Sequence, residues 1–153
     1  MKRNTKSMLG VTLLEVMLVL AIAAMIIVMS IRYYQSATTS QQANAGMEEL
    51  QAIIAAADNL AVGTGNYSSI TTAQITAVVG ANNMVSPTGG AITVTGAATT
   101  LTVNIPLSSG ACATLVPRFT AGSTNNPNPK ITTSTSCAST GSTTVAFVYT
   151  PAT

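Results

Sequence analysis

From Val11 to Ile31 the chain reads VTLLEVMLVLAIAAMIIVMSI, 21 residues carrying a single charge, Glu15. As a helix rising about 1.5 Å per residue, such a run reaches roughly 30 Å, the thickness of a bilayer's hydrocarbon core. Three basic residues, Lys2, Arg3 and Lys6, precede it. That order admits three readings. A secretory signal would have an apolar stretch of roughly 7–15 residues and a small-residue cleavage site after it. This run is longer, and no such site follows between Ser30 and Ser36. A plain signal anchor would keep the basic end in the cytoplasm and send the rest of the chain across. The third reading cuts before the run, at Gly10, and leaves the apolar helix on the mature protein. Glu15 bears on the choice, because an acid within a membrane segment costs a few kcal/mol and is usually functional.

Charge narrows the function classes. Beyond Gly10 three basic residues, Arg32, Arg118 and Lys130, face four acidic ones, and only 7% of the 153 residues are charged. There is no basic stripe for nucleic acid. With no His, and no Asp or Glu after Asp58, the C-terminal half holds neither a carboxylate pair nor a set of metal ligands. Neither an enzyme nor a cofactor-binding protein is expected.

A basic leader, Gly10, then VTLLEV and a long aliphatic helix resembles the signal of type IV prepilins and their pseudopilin relatives. The resemblance implies a prepilin peptidase that cuts between Gly10 and Val11 and methylates the new amine of Val11. It also makes Glu15 the assembly glutamate. The chemistry is coherent, since a carboxylate in an apolar filament core is offset by a cation at its own depth. The free amine of Val11 on a neighbouring copy would be that cation. Where type IVa pilins carry Phe and Pro, this chain has Val11 and Arg32, which places the resemblance with the type IVb branch. Within it, YYQSATTSQQ, LQAII and GNYSSITT are similar to pilins of conjugative thin pili. A leader of 10 residues is shorter than type IVb leaders tend to be.

The helical pattern continues past Arg32. Ala43, Met47, Leu50, Ile54, Ala57 and Ala61 recur in steps of three and four, with Gly63 and Gly65 placed to end the helix. One helix over 11–62 is expected, its first half (11–35) in lipid or filament core and its second half (36–62) covering a head. Ser36 to Asn44 holds few strong helix formers and is a possible weak point. A loop region follows over 63–90, including a short helix AQITAVV capped by Thr71 or Thr72 and stopped by Gly80. Over 91–153, AITVTGAATTLTVNI alternates as a hairpin turning at Gly96–Ala98. SSGACATLVPRF reads as a helix started by Ser108 or Ser109 and ended by Pro117. AGSTNNPNPK is turn-rich and exposed, and after it KITTSTS and STTVAFVYT read as two last strands joined around Ser139–Ser142. The fold class expected is α+β, a long N-terminal helix packed on a small antiparallel sheet, which is the type IV pilin architecture.

Cys112 and Cys137 are the only cysteines. In an oxidising compartment they favour a disulfide, and two buried thiols are the alternative. The pairing also matches the disulfide-bounded region of type IV pilins. Type II secretion pseudopilins usually lack it and hold calcium on C-terminal carboxylates that this chain does not have. The resemblance thus implies a structural subunit of a homo-oligomeric helical filament. It would wait in a bacterial inner membrane with its head outside the cytoplasm, and be assembled by an inner-membrane machinery into an extracellular pilus. A minor pilin, a pseudopilin and a membrane-anchored adhesin module are the alternatives. Glu15 leans toward the major subunit, since priming minor pilins often lack that acid.

Overall fold

A computed structural model describes residues 12–151 of the chain. Gly10 and Val11, and with them the expected cleavage and methylation site, lie outside the described residues. The elements in order are α1 (Leu13–Thr64), α2 (Thr72–Val79), a 3₁₀ turn (Ala81–Met84), β1 (Thr93–Gly96) and β2 (Leu101–Ser108). After these come α3 (Ser109–Phe119), β3 (Ile131–Thr133) and β4 (Ser142–Tyr149). The fold is α+β, a long N-terminal apolar helix and an antiparallel sheet in the order β1-β2-β4-β3. Two compact units divide at Ala37 and Thr38, a boundary within α1. The first consists of the apolar part of α1 and the second contains everything that forms a core.

Period-two alternation builds the sheet. Along β2, Leu101, Val103, Ile105 and Leu107 are buried while Thr102, Asn104, Pro106 and Ser108 are only partly so. Tyr149, Phe147 and Val145 of β4 stand opposite Leu101, Val103 and Ile105, so one face of the central pair is continuously apolar. Pro106, which has no N–H, is tolerated in this central strand because β1 begins at Thr93, opposite Asn104, and does not reach Pro106. Beyond β1 the Pro106 carbonyl accepts a hydrogen bond from the Thr88 hydroxyl at 2.9 Å instead. Phe119 of α3 meets Phe147 edge to face at 5.5 Å between ring centres.

The second part of α1 supplies the other half of this core. Leu50, Ile53, Ile54, Ala56, Ala57 and Ala61 are buried there, and Gly46 brings the helix backbone close to Leu107 and Leu115. Gln42 accepts a 2.7 Å hydrogen bond from the Ser108 hydroxyl, joining α1 to the start of α3. Ile53, Ala56 and Gly46 widen the stripe read from the sequence into a band, as expected of a helix lying flat on a sheet and a second helix.

Four local readings change. Gly63 is helical, and the helix ends one turn position later, where Gly65 at φ 70° turns its N–H back to the Ala61 carbonyl. The stretch from Ser36 to Asn44 is continuous helix. Pro117 sits inside α3, which runs on to Phe119; a proline in a last turn forfeits one hydrogen bond without blocking the two residues after it. β3 is three residues long, because the hydroxyl of Thr135 takes the Ala146 N–H at 3.1 Å in place of a backbone carbonyl. The cap expected at Thr71 or Thr72 is Thr71, whose N–H donates to the Gln74 side chain at 3.1 Å. Thr72 instead clips α2 to β1, accepting from the Val94 N–H and donating to the Val94 carbonyl.

Candidate functional site: an apolar helix with one acid

In the first unit, residues 12–37, the helix starts on a threonine. The N–H of Glu15 donates to the Thr12 hydroxyl at 3.3 Å, and the Thr12 carbonyl accepts from both Glu15 and Val16. Thr12 is therefore an N-cap, and Thr-Leu-Leu-Glu has the spacing of a capping box, a signal present in the sequence but absent from the expectations above. Glu15 lies in the first turn of α1, where the helix dipole favours a negative charge. Its carboxylate makes no hydrogen bond among the described residues.

The surface that follows is apolar on every side. Met17, Leu18, Val19 and Leu20 succeed one another at about 100° steps around the axis, and all four are exposed. So are Ile22, Met25 to Met29 and Ile31, whereas Ala23 alone in the run is half-buried. A helix that is apolar all round belongs in lipid or protein, and this one is long and apolar enough to cross a membrane. Arg32, Tyr33 and Tyr34 close the run, the tyrosines 80% and 70% exposed. Glu15 and Arg32 are the charges among the described residues of this unit.

The second unit holds the cysteines. Cys112 on α3 and Cys137 in the segment between β3 and β4 are joined by a disulfide, with the Cα atoms 5.7 Å apart. Cys112 is fully buried and Cys137 packs against the core. The bond ties α3 to a segment whose backbone has little ladder pairing of its own, which is where a covalent link restricts the unfolded chain most usefully.

Two acids of the second unit have surroundings that the sequence did not disclose. Asp58 near the end of α1 accepts hydrogen bonds from Tyr67 at 2.5 Å and Tyr149 at 3.1 Å, one on each carboxylate oxygen. The two rings meet edge to face at 6.2 Å. This arrangement staples the helix to the following loop and to the last strand. Burial, then the hydrogen bond and charge of Asp58, raise the Tyr67 hydroxyl above its ordinary value; the same causes raise Tyr149. Glu49, beside Ala45, Glu48, Ala52 and Asn83, has one carboxylate oxygen out of contact with solvent and without a hydrogen-bond partner. Burial raises its carboxyl group.

The structure thus brings Cys112 and Cys137 together and places Glu15 at a helix start on an uncovered apolar surface. Among the described residues no three His, Cys, Asp or Glu side chains gather as a metal site. Comparisons with protein-family models, curated proteins and solved structures found no match.

Proposed function

We propose that this chain is the structural, major subunit of a type IV pilus. A prepilin peptidase cleaves it after Gly10 and methylates Val11. The mature chain waits in a bacterial inner membrane with its head outside the cytoplasm, until an assembly machinery polymerises it into a surface filament. One observation carries the reading: α1 passes from a unit apolar on all faces into a unit where it covers a sheet-built, disulfide-closed head. A chain of this kind needs two successive environments for one helix. Lipid supplies the first, and the apolar helices of other copies supply the second without exposing that surface to water. Glu15 then pairs with the amine of Val11 on a neighbour. In the absence of water the pairing removes two uncompensated charges at once, and it favours copies displaced along the helix axis.

The Thr12 cap favours a second reading, in which Glu15 serves only its own helix start and the chain is a membrane-anchored head. Glu15→Gln separates the two. Gln keeps the capping geometry but not the charge. In the pilus reading, cells making Glu15→Gln process the chain normally and show surface filaments reduced at least tenfold by electron microscopy and shearing. Filament yield equal to the parent, with normal processing, removes the intersubunit role of Glu15.

A further inference from the structure

We propose that Arg32, Tyr33 and Tyr34 form a lipid-headgroup anchor, binding phosphate of the non-cytoplasmic leaflet and fixing the depth at which α1 waits in the bilayer. The inference rests on the membrane-spanning part of the reading above. Arg32 is the first charge after Glu15, seventeen residues on, and it closes the apolar run. The two tyrosines that follow are exposed, at 80% and 70%. Consecutive residues step about 100° around a helix, so the three side chains fan over roughly 200° of its circumference and face lipid in most directions. Each suits the interface rather than the hydrocarbon. A guanidinium donates two parallel hydrogen bonds to phosphate, and a tyrosine keeps its ring at the acyl boundary with its hydroxyl among headgroups.

Spacing adds a constraint. Glu15 and Arg32 are separated by about 26 Å along the helix, some 4 Å less than a hydrocarbon core of about 30 Å. Both charges cannot rest in headgroups unless one side chain reaches outward. Arginine has the longer stem and snorkels more readily. The bilayer therefore holds the helix between two stops. Arg32 resists movement toward the cytoplasm, and Glu15 resists movement outward until its charge is met by a cation.

The test uses the full chain reconstituted in phosphatidylcholine vesicles containing phosphatidylglycerol, in two versions bearing Tyr34→Trp, with Arg32 retained and with Arg32→Gln. Because the chain has no other tryptophan, its fluorescence reports depth through lipids brominated at different acyl positions. The expected result is strongest quenching by bromines nearest the headgroup with Arg32 present. With Arg32→Gln the maximum should move by several ångströms, or the quenching should spread over all depths. Quenching strongest at the bilayer centre, or a depth unchanged by Arg32→Gln, overturns the anchor. A maximum that appears only at high protein-to-lipid ratio overturns it in favour of a contact between copies. Failure of the chain to float with vesicles at all would instead remove the membrane-spanning reading beneath it.

Discussion

At Gly96 the β1 backbone passes so close to Tyr67 that a Cβ there would overlap the Tyr67 carbonyl oxygen. The Gly96 N–H donates to the Ile70 carbonyl at 3.1 Å, so loop and strand are pinned together where no side chain fits. Gly96→Ala must push backbone against backbone, and we expect it to destabilise the head by at least about 2 kcal/mol in urea unfolding of the full chain in detergent. The tyrosines on Asp58 give a pH signature. Their folded values lie above the ordinary one near 10, so their contribution is fully present below pH ~10. It is lost as pH rises further, because the unfolded chain releases protons that the folded one keeps. The melting temperature should therefore fall as pH rises from about 10 to 12, and the fall should be shallower in Tyr67→Phe, which at pH 8 costs about 1.5–3 kcal/mol for a lost hydrogen bond to a carboxylate. Glu49 has the same sign in a lower window. Its carboxyl is raised above the ordinary 4.5, so stability declines as pH rises through that region, and Glu49→Gln should stabilise the head at pH 7 with the gain vanishing near pH 4. Neither acid was legible in the sequence, because both depend on partners, or on their absence, set by tertiary packing.

At the scale of elements the sequence was more informative. Alternation and helical spacing are local properties, and the hairpin, the two short helices and the long stripe of α1 are all visible in them. What escaped reading were decisions between near-equal local options. Gly63 or Gly65 can end a helix, and only the left-handed φ of Gly65 settles which does. A run such as KITTSTS has strand composition throughout, yet Thr135 satisfies Ala146 with its side chain and the ladder stops at Thr133. The segment from Ser134 to Gly141 is consequently held by other means, above all the Cys112–Cys137 bond. Loss of that bond in Cys137→Ser should cost about 3 kcal/mol and expose the segment to protease, measured with and without reductant. Equal protease resistance in the two conditions would show that the segment does not need it. Leu50 and Ile53, 1% and 0% exposed, should be the costliest aliphatic positions of α1, at about 2–5 kcal/mol each for Leu50→Ala and Ile53→Ala.

At the scale of the molecule, α1 runs through both compact units, and only the second of them has a core. Residues from Thr38 onward fold against a core of their own, whereas the apolar part has none. The apolar run and its lone acid were legible in the sequence because they violate what water permits, and no tertiary detail is needed to see it. The partner of Glu15 was not legible from this chain's fold, since the proposed partner is the amine of another copy. That amine exists only if the leader is removed at one bond. The N-terminus of the chain in the filament is therefore decisive, and N-terminal mass spectrometry of sheared surface fibres measures it. The result predicted is a mature chain beginning at Val11 with a methylated amine, and accumulation of full-length chain in the membrane when Gly10 is replaced by a bulky residue. Fibres whose subunits begin at any other residue, or retain Lys2 to Gly10, would contradict it.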